Sequence, residues 1–108
     1  MLTTLLLGVF FGPLFGWSGF FEIVNRTGFT IYWIYVSHES DSEWGEDRLG
    51  REVLLDGDGF TVFLEDYPNS VFDIRVIDED NDSYTYTNMN LEQDPVLQVV
   101  LEDLDRRR

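Results

Sequence analysis

Apolar and polar residues alternate along most of the chain after its first twenty positions. In residues 71–78, for example, Phe72, Ile74 and Val76 alternate with the charged Asp73 and Arg75. Because successive side chains of a β-strand point to opposite faces, this period of two predicts strands with one buried face. The predicted strands are residues 20–27, 30–37, 51–55, 60–65, 71–78, 83–88 and 96–103, the last with Leu97, Val99 and Leu101 facing inward.

Turn residues separate these segments at regular intervals, and no helical period follows them. Asp56-Gly57-Asp58-Gly59 is a strong turn signal, and the acidic run Asp78–Asp82 predicts a hairpin between two strands. Asn25-Arg26-Thr27-Gly28 also predicts a tight hairpin, with Gly28 at positive φ. Such spacing favours an all-β, antiparallel two-sheet sandwich of immunoglobulin-like size with about seven strands.

Two segments depart from simple alternation. Residues 30–37 (TIYWIYVS) are apolar on both faces, which predicts a central strand covered on each side. Residues 38–50 are polar apart from Trp44 and Leu49. We expect an exposed loop there, held to the body of the domain by those two side chains.

The first residues are apolar and carry no charged side chain as far as Phe21. A signal peptide has this character, and Gly16 and Ser18 are suitable small residues before a cut that leaves Gly19 or Phe20 first. An uncleaved membrane anchor and a piece of a cytosolic core are the alternatives. The expected division is a signal peptide or anchor (residues 1–19), a β-sandwich domain (20–104) and a frayed tail (105–108). It predicts a secreted or periplasmic protein that meets a membrane only through an uncleaved N-terminal segment.

Charge and composition exclude several classes of function. The chain has 21 acidic against 7 basic residues, all Arg, and a formal net charge of −14 at pH 7. That field repels phosphate backbones, so nucleic acid is not an expected partner. Without Cys or Lys, and with His38 as the sole histidine, one chain cannot assemble a nucleophilic triad or a histidine zinc cluster. We therefore expect that this protein is not an enzyme.

The loop around Trp44 is the first candidate binding surface, because loops on a rigid scaffold commonly carry recognition. Trp44 can stack on a sugar ring or anchor a partner protein, while Glu46 and Asp47, with Glu43, accept hydrogen bonds. The structural alternative has Trp44 closing the end of the sandwich and Asp47 capping a turn.

The second candidate is the acidic run, in which Asp78, Asp80 and Asp82 follow a D-x-D-x-D spacing. Carboxylates so spaced can surround Ca²⁺ with oxygen ligands, which predicts a weak calcium site and no other cofactor. The EF-hand pattern fails, because Ser83 and Met89 occupy its glycine and glutamate positions. A solvated hairpin tip without metal is the alternative.

Three ordered motifs carry a family resemblance: Phe21-x-Ile23-x-Asn25-x-Thr27-Gly28, Trp44-Gly45-x-Asp47-x-Leu49-Gly50 and Phe72-Asp73-Ile74-Arg75. Over residues 20–101 the chain resembles a group of small exported bacterial β-sandwich domains of uncharacterised function. Its members have an N-x-T-G start and a W-G-x-D-x-L-G loop. They commonly carry a pair of Cys where Ser70 and Glu92 stand here.

These features predict an exported, acidic, non-enzymatic binding or structural module of the cell envelope, with an unknown protein or carbohydrate as partner. One alternative is a Ca²⁺-stabilised adhesion-like module. The other is a small carbohydrate-active enzyme that uses two carboxylates, which cannot be singled out among so many acids.

Overall fold

The structure, a computed structural model, describes residues 16–105. These residues form an all-β fold, as the alternation predicts, with six strands where about seven were expected. The elements are β1 (Trp17–Arg26), β2 (Ile31–His38), β3 (Gly59–Tyr67), β4 (Val71–Asp78), β5 (Ser83–Asn90), β6 (Val96–Val100) and a short 3₁₀ helix (Leu101–Asp103). Residues 1–15 of the expected signal peptide or anchor, and 106–108 of the expected tail, lie outside the described residues. Residues 17–19, which the expected division assigns to that first segment, instead begin β1 and pair with β3. Residues 16–105 contain no helix with the length and hydropathy of a membrane span.

The strands form two three-stranded sheets, which we call sheet A (order β3-β1-β6) and sheet B (order β2-β4-β5). Sheet B is antiparallel throughout, and so is the β1–β3 pair. The β1–β6 pair is parallel, which corrects the expectation of a wholly antiparallel fold. Since β6 enters sheet A after a run of strands in sheet B, no hairpin fixes its direction relative to β1.

One hydrophobic core lies between the sheets. Its buried side chains from the strands are Phe21, Ile23, Val62, Leu64, Leu97 and Val99 of sheet A and Ile31, Ile34, Val36, Phe72, Ile74, Val76 and Tyr84 of sheet B. Each large apolar side chain so buried stabilises the fold by roughly 1.5–3 kcal/mol. The inward row expected in residues 96–103 stops at Val99, because β6 ends at Val100 and the 3₁₀ turn leaves Leu101 47% exposed.

Residues 51–55 do not form the seventh strand that the sequence predicts. Only Leu54 of this segment is buried, whereas Val53 and Leu55 are 47% and 54% exposed. Leu54 makes an isolated antiparallel bridge with Ile31, in which each backbone N–H donates to the other's carbonyl at 2.9 Å. Because only one side chain of the segment is buried, the segment attaches to the sheet at a single bridge and does not form a continuous ladder of strand hydrogen bonds.

Strand β2 lies at the edge of sheet B, which corrects the expectation of a central strand. A register irregularity between Ile31 and Trp33 leaves Tyr32 and Trp33 exposed side by side, at 41% and 36%. The edge itself is partly covered, because Ile34 donates its N–H to the side chain of Asp47 and accepts one from Arg48. The second apolar face of this strand is therefore a surface row that includes aromatic rings.

The connection between β1 and β2 is a corner between the sheets, not the expected hairpin. Asn25 is fully buried there, and its Nδ2 donates to the carbonyls of Phe29 (2.7 Å) and Leu54 (3.0 Å). Its Oδ1 accepts the N–H and hydroxyl of Thr27. Gly28 has the predicted positive φ, at 89°. The N-x-T-G sequence thus supplies the internal hydrogen bonds of the corner.

Asp105, the first residue of the expected frayed tail, is held to the domain by hydrogen bonds. Asp105 accepts hydrogen bonds from the hydroxyls of Ser83 (2.7 Å) and Thr85 (2.6 Å) and from the N–H of Thr85. Burial raises the pKa of Asp105, but these bonds outweigh it and hold the pKa below its usual value. The residue fastens the end of the described chain to the edge of β5.

Candidate functional site

The carboxylate of Asp47 organises the loop of residues 39–50. Its Oδ1 accepts the N–H groups of Ile34 (2.9 Å) and Leu49 (3.0 Å), and its Oδ2 accepts that of Gly50 (3.2 Å). Leu49 is only 5% exposed and anchors the loop in the core, as expected. Gly50 has a φ of 63°, a left-handed conformation that glycine adopts at little cost. Asp47 therefore supports the loop, and its oxygens are committed to backbone groups.

Trp44 packs on the outer face of sheet B rather than in the core. The ring is half-buried, and the Cζ of Arg75 lies 5.0 Å from its centroid. Arg75 is itself held, because its Nε donates to the hydroxyl of Thr85 at 2.9 Å. This cation–π contact fixes the position of the ring from one side.

Trp44 lines an open cleft of about 210 Å³ at the end of β2. The lining residues are Ser37, Asp41, Ser42, Glu43, Trp44 and Asp73. Ser37 shapes the wall, since its hydroxyl donates to the carbonyl of Glu43 at 2.9 Å. The cleft thus combines an aromatic ring with hydroxyl and carboxylate oxygens.

The structure separates the three binding residues predicted from the sequence. Trp44 lines the cleft, Glu46 is exposed outside its lining, and Asp47 is bonded to the loop backbone. Sequence reasoning missed Asp73, which alternation places only as an outward residue of β4. Asp73 joins the cleft because it is the register partner of Ser37, and strand register is not visible in the sequence.

An aromatic row leads towards the cleft along β2. Trp33, Tyr35 and Ser37 alternate along the strand and lie opposite Ile77, Arg75 and Asp73 of β4, respectively. Residues two apart in a strand share a face, so these side chains follow one another on the outside of sheet B. The cleft is the polar end of a longer, partly aromatic surface.

The acidic turn brings Asp78, Asp80 and Asp82 together, with one carboxylate oxygen from each within 4.8 Å of the others. Three carboxylates at this spacing can hold a metal ion. Asp78 is buried, and its Oδ1 accepts the backbone N–H groups of Asp80 (2.9 Å) and Asp82 (3.0 Å). The hydroxyl of Tyr84 donates to its Oδ2 at 3.4 Å. Asp78 thus builds the turn from within.

The pKa of Tyr84 is raised by its position beside this turn. The residue is fully buried, and burial together with the negative charge of Asp78 raises the pKa of the Tyr84 hydroxyl to about 12. The hydroxyl therefore stays protonated and remains a donor to Asp78 through the neutral pH range.

His38 has a structural position. The backbone N–H of Ser40 donates to its Nδ1 at 3.1 Å, so its Nε2 carries the proton that is donated to the Oδ1 of Asn69 (2.9 Å). Its ring stacks on Tyr67 and meets the edge of Phe72. Both nitrogens are used inside the fold, away from the Trp44 cleft.

The cleft is chemically suited to holding a small polyhydroxylated ligand: a ring to pack against and several oxygens to accept hydrogen bonds. No family model, curated protein or solved structure matches this chain.

Proposed function

We propose that this chain is a non-enzymatic carbohydrate-binding module of the cell envelope, and that the cleft beside Trp44 is its ligand site. The observation that carries the proposal is the composition of the cleft, in which one tryptophan ring borders hydroxyl and carboxylate oxygens. Ligand sites commonly combine an apolar wall with a few polar groups that fix orientation.

In this proposal the tryptophan ring packs against the sugar, and the acids accept hydrogen bonds from its hydroxyls. Arg75 lies over one face of Trp44, so the ring offers its opposite face or its edge to the C–H surface of a sugar. Asp41 and Glu43 are exposed at the cleft and accept hydrogen bonds from sugar hydroxyls. Three carboxylates repel an anionic sugar, which favours neutral or amino sugars as ligands.

Isothermal titration of the full chain with neutral and amino oligosaccharides tests this proposal. Trp44→Ala removes the stacking surface and should abolish the binding heat, while Glu43→Gln weakens it. Glu46→Gln is the matched control, because Glu46 is an exposed acid outside the lining of the cleft. Binding that survives Trp44→Ala, or no binding to any such sugar, contradicts the proposal.

The absence of catalysis is part of the proposal. One cleft acid, Asp73, accepts the backbone N–H of Asn88 at 2.9 Å, which suits a structural role better than proton transfer. Prolonged incubation with a bound oligosaccharide should release no new reducing ends. Turnover that disappears in Glu43→Gln would instead make the chain a small carbohydrate-active enzyme.

A secreted or periplasmic location rests on the apolar, uncharged sequence that runs to Phe21. Expression of the full chain in a bacterial host, followed by fractionation and N-terminal sequencing, tests it. A chain cleaved ahead of β1 supports a signal peptide, and an intact chain in the membrane fraction supports an anchor. Recovery in the cytosol contradicts export.

A calcium-stabilised adhesion-like module is the second candidate, because the oxygens of Asp78, Asp80 and Asp82 converge. A cation that binds only the native state raises the melting temperature, by an amount set by its concentration relative to Kd. Melting with Ca²⁺ and then with chelator should show the rise and its reversal, and Asp80→Asn should reduce it. An unchanged melting temperature excludes this candidate.

A further inference from the structure

Strand β3 is a long sheet edge that the described part of the chain does not cover. It spans nine residues at one side of sheet A and pairs only with β1. The edge of β2 is partly covered by Asp47 and Leu54, and that of β5 receives Asp105. Within residues 16–105 no backbone segment bonds to the outer side of β3. An uncovered edge of this length is a template for pairing with another strand.

The register shows which backbone groups of β3 point outward. Glu22 donates its N–H to Pro95, beside β6, so Glu22 bonds away from β3. In an antiparallel pair, opposite residues either bond to each other or both bond away, and Glu22 lies opposite Thr61. Thr61, and by alternation Phe63 and Glu65, therefore direct their N–H and C=O groups to the open edge.

Phe63 stands at the middle of this edge and is 73% exposed. Its neighbour across the sheet, Phe20, is 61% exposed, with the ring centroids 5.9 Å apart. Phe63 borders two clefts, one of about 410 Å³ that includes Glu65 and one of about 220 Å³ that includes Arg48. An exposed aromatic pair between two clefts, each with a single charged residue in its lining, marks an interaction surface.

The charges on the outer face of sheet A indicate which kind of partner can bind beside Phe63. Along the regular part of sheet A (residues 18–26, 59–65 and 96–100), the charged outward side chains are Glu22, Arg26 and Glu65. Two acids and one base leave this face nearly neutral, whereas the chain as a whole carries −14, so electrostatic repulsion opposes the approach of a second copy only weakly here. A basic partner would be drawn instead to the acidic loops.

We propose that two copies of this chain associate through β3, antiparallel about a two-fold axis at Phe63. The axis places Phe63 of the two copies face to face and Thr61 opposite Glu65 of the second copy. The outward N–H and C=O groups then bond in pairs, and the sheets join into one of six strands. The same axis sets the Arg48 cleft against the Glu65 cleft of the second copy, which matches opposite charges across the contact.

Sedimentation equilibrium of the full chain tests the proposal, with a dimer as the expected result. Phe63→Glu sets two carboxylates against each other at the axis and should raise the dimer Kd by about tenfold or more. Tyr32→Glu is the control. It replaces another exposed aromatic residue by the same charged one, away from β3, and should leave the dimer Kd unchanged. A monomer at all concentrations up to about 100 µM, or a dimer that is indifferent to Phe63→Glu, overturns the proposal.

A charge exchange tests the register. Arg48→Glu and Glu65→Arg should each weaken the dimer, and the double variant should restore it. If the double variant is as weak as the singles, the axis at Phe63 is wrong. Oligosaccharide titration of Phe63→Glu separates this inference from the proposed function, since the monomer should still bind through Trp44.

Discussion

The loop of residues 39–50 and the turn of residues 78–82 are both rich in acids, yet they use them differently. Each directs one aspartate to backbone groups: Asp47 accepts three N–H groups and Asp78 accepts two. Only the loop adds an aromatic ring, since Trp44 packs on Arg75 and lines a cleft. In both regions one acid stabilises the turn itself. The neighbouring tryptophan ring makes the loop a candidate sugar site, whereas the turn offers only carboxylates, which suit a cation.

The largest expected effect is at the supporting aspartate of the loop. Asp47→Ala leaves three N–H groups without their acceptor and should lower the free energy of unfolding by roughly 3 kcal/mol. Asp47→Asn keeps one oxygen in place and should cost about 1 kcal/mol. Urea unfolding measures both. Equal and small losses would mean that Asp47 does not organise the loop.

The equivalent change in the turn should cost less, because the third donor to Asp78, the Tyr84 hydroxyl, lies at 3.4 Å and makes only a weak bond. Asp78→Ala removes the acceptor of two N–H groups and of the Tyr84 hydroxyl, which predicts a loss of about 2 kcal/mol in urea unfolding. Asp80→Ala, at an exposed position of the same turn, should stay within about 0.5 kcal/mol of wild type. If the two variants are equally stable, Asp78 is a surface acid like its neighbour and the resemblance to Asp47 fails.

The turn should also respond to alkali. The folded-state pKa of Tyr84, about 12, lies above its ordinary value of 10, so the protonated hydroxyl is favoured by folding. This contribution is complete below pH 10 and is lost as the pH rises towards 12, by about 2 kcal/mol in total. Unfolding of wild type and Tyr84→Phe from pH 8 to 11.5 should therefore show a gap that narrows above pH 10. A constant gap would contradict the raised pKa.

The smallest expected effect is the coupling between Trp44 and Arg75. A double-mutant cycle with Trp44→Ala and Arg75→Ala should give an interaction of about 0.5–1 kcal/mol, because the contact is only partly shielded from water. Thermal or urea unfolding of wild type, the two single variants and the double variant measures this interaction energy. No coupling would show that Arg75 does not hold the ring beside the cleft.

Local pattern predicted most strands and failed where partners decide the outcome. Residues 71–78 match β4 at both ends, and Val62 and Leu64 are buried as alternation requires. The pattern predicts a covered strand at Tyr32 and Trp33, which are exposed, because apolar composition does not distinguish a buried face from an exposed aromatic row. For Asp47 the sequence allows a ligand-binding role or the cap of a turn, and its bonds to Leu49 and Gly50 confirm the cap. No local pattern reveals its further bond to Ile34 on another element.

Alternation and turn chemistry are enough to predict the all-β character, most inward positions of the core, the positive φ of Gly28 and the turn at residues 78–82. These follow from side-chain periodicity and backbone conformation, which act between near neighbours. Tertiary structure alone decided that β1 and β2 belong to different sheets, that β6 runs parallel to β1, and that Asp73 reaches the cleft of Trp44. Those features depend on register and on pairing between distant segments, and the free energy that selects them exists only once the strands meet.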